Sequence, residues 1–169
     1  MEDNERDVLT EILLLMDKYD LYGKIAIPKK HDFEHEVPEL YRIAAEKKGV
    51  FVNSALTEPF GLTLIEAAAC GLPIVAPDDG GPRDIVKNCP SGILVDTTDA
   101  KAIADAVKQI ISDSEKWKQY SKAGIMSVRK HYTWESHATS YIEQISRIFA
   151  DQAEEKMQVA VPSDAIGRR

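Results

Sequence analysis

Between Val50 and Gly71 the chain spells out a strand, a loop and a helix in one run. Val50, Phe51 and Val52 are apolar strand formers. From Leu62 to Cys70 the sequence is apolar and Ala-rich, and Gly71 stands where a helix C-cap glycine would. The loop between them holds Glu58, Pro59, Phe60 and Gly61, and Glu66 follows in the second helical turn. Seven residues therefore separate two carboxylates across a loop-to-helix junction. Pro59 fixes the loop backbone, and Gly61 leaves the helix mouth without a side chain, so that a ligand can approach closely. The first amides of a helix have no partner within it, and its dipole favours negative charge there. Such a junction offers amides to a phosphate and a carboxylate on either side to hydroxyl groups.

The rest of the chain supplies an alternating pattern. Apolar runs at 24–27, 50–52, 73–76 and 92–95 predict four strands, with helices over 2–20, 37–48, 62–70 and 83–87 before or between them. Short, nearly continuous apolar strands of this kind are covered on both faces. The fold class expected is α/β, a Rossmann-like parallel sheet with helices on both faces, followed by C-terminal helices. Those helices are predicted from a Thr98 cap to residue 111, from a Ser112–Glu115 capping box to residue 130, and from a Thr133 cap to residue 150. Residues 1–150 form the domain in this reading, and 151–169 a tail or linker. Ligands in such sheets bind where strands end at their carboxyl edge. The loops at 28–36, 57–66 and 77–82 all follow strands there.

Glu58-Pro59-Phe60-Gly61-Leu62 with Glu66 resembles the Glu-x7-Glu motif of retaining GT-B glycosyltransferases. The longer run, with Gly71-Leu72-Pro73-Ile74-Val75-Ala76 and Gly80-Gly81-Pro82, is most similar to sucrose-phosphate synthases. The resemblance covers roughly residues 7–150. It implies a UDP-glucose-dependent hexosyltransferase that transfers glucose to fructose 6-phosphate with retention. This chain would be part of the C-terminal, donor-binding half. Glu58 would hold sugar hydroxyls and Glu66 the ribose hydroxyls. The amides of Phe60, Gly61, Leu62 and Thr63 would meet the diphosphate, and Asp79, Gly80 and Gly81 would approach from the next loop. No metal or other cofactor is implied. The family's first domain, which carries acceptor contacts, and its donor-phosphate Arg and Lys find no counterpart in this sequence. The expectation is an excerpt of a larger enzyme, inactive alone. Another retaining GT-B enzyme, such as sucrose synthase, and a non-catalytic nucleotide-sugar-binding module are the alternatives.

Other features weigh little. A formal charge of −7 argues against nucleic-acid and anionic-membrane partners. Two cysteines, no apolar span and no signal peptide point to the cytoplasm. His31 and His35 bracket an acidic run that lacks zinc-protease order and reads as a loop. Trp117 and Trp134 read as packing anchors, and Cys70 as a small core residue. Taken singly, Glu66 also fits a solvated helix face, and Gly80-Gly81-Pro82 a plain turn.

Overall fold

The computed structural model describes residues 3–27 and 32–159, with side chains described over 5–27 and 32–152. The described residues fall into two compact units that divide after Glu36.

The first unit is built on α1 (Asp3–Lys18). Met16 is buried and Leu9 and Ile12 are half-buried, whereas Val8 and Leu13 are half exposed. The strand expected at 24–27 does not form; these residues are irregular. A local turn explains this. After α1, Gly23 turns at φ 72° and the Lys24 amide donates to the Leu21 carbonyl, so the turn consumes the start of the run. Residues 25–27 have no ladder partner among the described residues, and an isolated strand is not stable in water. Residues 28–31, the start of the loop expected at 28–36 and including His31, lie outside the described residues.

The second unit holds α2 (Glu36–Glu46), whose first residue sits at the boundary, and a three-stranded parallel sheet. Its strands are β1 (Phe51–Val52), β2 (Ile74–Pro77) and β3 (Gly92–Val95), in that spatial order. Phe51 pairs with Ile74, and Ile74 with Gly92. Helices α3 (Leu62–Ala69) and α4 (Gly81–Asn88) are the crossovers. Side chains alternate across β2. Ile74 and Ala76 pack with Leu64, Leu72 and Ile85 on one face, joined by Tyr41 and Ala44 of α2. Val75 packs on the other with Ala106, Ile110 and Trp117, from α5 (Ala100–Ile111) and α6 (Ser114–His131). The sheet is thus covered by helices on both faces, as the sequence pattern requires. The Trp117 indole donates to the Gly49 carbonyl at 2.8 Å, a packing anchor with its polar atom satisfied.

Helix ends differ in detail from the expectation. Asp99, not Thr98, caps α5, because Thr98 is itself held by the Asp96 carboxylate at 2.5 and 2.9 Å. Asp113 caps α6 by accepting from the amides of Glu115 and Lys116. The Thr133 hydroxyl accepts from the Ser136 amide at 3.2 Å, at the mouth of α7 (Trp134–Val159). That helix runs past residue 150 because the sequence there is made of good helix formers, with neither Gly nor Pro to stop it. Residues 160–169 of the expected tail lie outside the described residues. No helix of the described residues is long and apolar enough to cross a membrane.

Candidate active site

The junction read from sequence is where β1 ends and α3 begins. Gly61 is the N-cap of α3 at φ 100°, in the left-handed region, and no side chain caps the helix. An N-cap residue is normally extended and lends a side-chain oxygen to the first amides. Here the amides of Leu62 and Thr63 have neither an intrahelical partner nor such a cap. Phe60, Leu62 and Thr63 are exposed at this mouth, while Gly61 is buried. The missing side chain at Gly61 has an internal reason as well. A Cβ there would lie 2.9 Å from Leu64 and 3.1 Å from Ile85, both in the core.

Glu58 is half-buried, and both its oxygens are engaged. Oε2 accepts from the Asn53 side-chain amide at 3.1 Å, and Oε1 from the Phe60 amide at 3.4 Å. The Phe60 amide, one of the four donors expected to meet a phosphate, is therefore directed at Glu58 instead. Glu66 is exposed on α3, apart from Glu58. Burial first, then the Glu66 charge, pushes the Tyr41 phenol of α2 up. Glu58 is thus held at the helix mouth, whereas Glu66 stands in the second turn of α3.

The loop after β2 closes against this junction. The Gly81 amide donates to the Glu58 carbonyl at 3.0 Å. A Cβ on Gly81 would stand 2.2 Å from the Phe60 carbonyl oxygen, and one on Gly80 2.5 Å from that of Glu58. Only glycines let the two backbones cross this closely. The structure thus brings Gly80 and Gly81 onto the backbone of Glu58 and Phe60. Gly80 also uncaps α4, so a second helix begins beside the first. Asp79 is exposed, and Asp78 holds Arg83 at 2.8 Å.

Two clefts open here. One of about 360 Å³ lies between Phe60, Leu62 and the corner of α6 and α7, where Trp134 and His137 line it. The other, of about 280 Å³, lies at the carboxyl ends of β2 and β3 beside Asp78, Asp79 and Asp96. Trp134 is 87% exposed, edge-on to His137, and so is not the packing anchor expected. It stands at the first position of α7 and belongs to none of the core clusters of the described residues. Cys70 is a half-buried C-cap residue, and Cys89 is the cysteine in the core. In the acidic run near His35, Asp32 accepts from the amides of Glu34 and His35 and from the His35 ring, a self-contained turn.

Sequence reasoning missed Asn53 and Thr97. Asn53 is the first residue past β1, and Thr97 follows β3 and donates to the Ala55 carbonyl at 2.8 Å. Their signal was position: polar residues directly after parallel strands belong to the ligand edge of the sheet.

Comparison with known proteins fits this geometry. The family model for group 1 glycosyl transferases matches residues 6–126. Sucrose-phosphate synthase of Zea mays is 49% identical over 146 residues, covering 86% of this chain and 14% of the relative. Sucrose-phosphate synthase 4 of Arabidopsis thaliana is 48% identical over 145 residues, with the same coverage. The structure of the sucrose-phosphate synthase from Thermosynechococcus elongatus superposes with a TM-score of 0.66 at 32% identity, over 84% of this chain and 34% of that one. The chain thus spans about one seventh of the length of the plant relatives it matches.

Proposed function

Because the chain belongs to the group 1 glycosyl transferase family, we propose that it is the donor-binding part of an enzyme that transfers glucose from UDP-glucose to fructose 6-phosphate. One observation carries this reading. An uncapped helix mouth stands at the carboxyl edge of a parallel sheet, with an oriented carboxylate at its entrance.

Breaking the sugar–phosphate bond builds charge on the leaving diphosphate, and donors already aimed at that charge lower the barrier. The amides of Leu62 and Thr63 supply them, with the Thr63 hydroxyl beside them. Glu58 retains lone pairs for the hydroxyls of the sugar, and Glu66 takes the ribose. Charge-assisted bonds of this type contribute roughly 1.5–3 kcal/mol each. Gly80 and Gly81 hold the entrance in shape from the next loop. The chemistry needs no metal in this scheme, since backbone donors and a helix end supply the positive potential. The acceptor is held by a further domain, and retention of configuration follows the family resemblance. The cytoplasm, where nucleotide sugars and phosphorylated hexoses meet, is the compartment that suits these substrates.

The reading is tested by turnover in a polypeptide that joins this chain to an acceptor-binding domain. Glu58→Ala should depress kcat by roughly tenfold or more, the worth of one charge-assisted bond. Near-normal glucose transfer to fructose 6-phosphate in that variant would remove Glu58 from the site.

A further inference from the structure

We propose that Asn53 is a positioning residue, which holds the Glu58 carboxylate in place for the donor sugar before the donor arrives. The proposal rests on the donor-site reading of Glu58.

Asn53 is tied to the sheet through its backbone and to the following loop through its side chain. Its backbone amide donates to the Val75 carbonyl at 2.9 Å and so extends the pairing of β1 with β2 by one residue. Its side-chain Oδ1 accepts from the Ala55 amide at 2.9 Å. That bond settles which way the side chain faces. An amide N–H can donate only to the oxygen, so the NH₂ group is turned toward Glu58. From there Nδ2 donates to Oε2 at 3.1 Å. Ala55 is fixed in turn, since its carbonyl receives the Thr97 hydroxyl from the end of β3 at 2.8 Å. All three strands therefore converge on the orientation of one carboxylate.

An ionised carboxylate has room for about four hydrogen bonds. Asn53 and the Phe60 amide take two, one on each oxygen. The remaining positions are left for sugar hydroxyls, and their directions are set by the two protein donors. A glutamate on a loop loses rotamer freedom when it binds a ligand, and that loss reduces affinity. Here two bonds from the protein already restrict that freedom. Asn53 touches neither sugar nor phosphate in this arrangement; it acts through Glu58.

Asn53→Asp separates this role from a structural one. The variant keeps the oxygen that accepts from Ala55 and replaces the donor facing Glu58 by a second negative oxygen. Calorimetric titrations of the chain with UDP and with UDP-glucose give the contribution of the sugar as the ratio of the two affinities. Asn53→Asp should reduce that ratio by roughly tenfold and leave the UDP affinity unchanged. In a Glu58→Ala background the same substitution should cost nothing further, because the residue it acts through is gone. Separately, the Asn53 side-chain amide signals in a ¹H–¹⁵N spectrum should move when Glu58 becomes alanine. Equal loss of UDP and UDP-glucose affinity would overturn the proposal, as would an undiminished cost in the Glu58→Ala background. Unmoved Asn53 amide signals would overturn it too. A parent chain that gains nothing from the glucose moiety would instead sink the donor-site reading, and the spectra would still decide whether Asn53 holds Glu58.

Discussion

Gly81→Ala drives a methyl group into the backbone of the neighbouring loop. The new Cβ would meet the Phe60 carbonyl oxygen at 2.2 Å and the Phe60 Cα at 2.5 Å, against an ordinary contact that begins at 3.4 Å. Neither neighbour is the end of a flexible side chain, so the two loops must part by roughly 1 Å. Overpacking of this kind costs about 1–3 kcal/mol. Parting the loops also breaks the bond from the Gly81 amide to the Glu58 carbonyl, for about 1 kcal/mol more. The sum of roughly 2–4 kcal/mol corresponds to a fall in Tm of roughly 5–15 °C for a domain of this size. Thermal unfolding followed by circular dichroism reads the fall directly. The same shift carries Glu58 away from the helix mouth, so UDP-glucose affinity should drop with it in the variant that remains folded at low temperature. A variant whose Tm stays within about 2 °C of the parent, with unchanged UDP-glucose binding, would refute the idea that the two loops are locked by glycine contact.

Three further outcomes are expected. Asp99→Ala should destabilise the chain by about 1 kcal/mol, because Asp99 accepts from the amides of Lys101 and Ala102, whereas Thr98→Ala should cost less; denaturant titrations of the two variants separate the assignments. Trp117→Phe should cost roughly 2–3 kcal/mol through the cavity left in the core and the Gly49 carbonyl left without its indole donor, again read from denaturant unfolding. The Thr98 hydroxyl, and then its amide, hold the Asp96 carboxyl below the usual carboxylate range. A carboxylate lowered on folding stabilises the fold above its unfolded pKa, and that contribution fades as pH falls through the folded value. The stability difference between parent and Asp96→Asn should therefore shrink as pH drops below about 4, and a difference constant across that range would contradict it.

The alternation of apolar runs was enough to read the parallel sheet and its covering helices, because β2 is buried on both faces and carries no polar residue to blur the signal. The run at 24–27 is apolar from Ile25 to Ile27 and yet forms no strand. What decided its fate was the turn through Gly23 and Lys24 and the absence of a ladder partner among the described residues, neither of which periodicity records. The candidate site was legible through Glu58, Gly61, Glu66 and the glycines at 80 and 81, since loop chemistry and helix starts leave marks in sequence. The physical reason for the glycines was not legible. They are needed where two backbones cross, a contact between residues some twenty positions apart. Asn53 was hidden for a similar cause, as its partner lies five residues on, across a turn whose shape only the structure supplies. Trp134 misled because exposure depends on what surrounds a helix end, and a large apolar side chain reads as core by default.

The central claim is that the mouth of α3 binds a nucleotide diphosphate sugar. Calorimetric titration of this chain with UDP, UDP-glucose, ADP-glucose and GDP-mannose tests it most directly. The account predicts saturable binding of UDP and UDP-glucose, weaker binding of the other two, and loss of UDP affinity in Glu66→Ala. A folded chain that binds none of the four, or binds UDP equally well with and without Glu66, would contradict it.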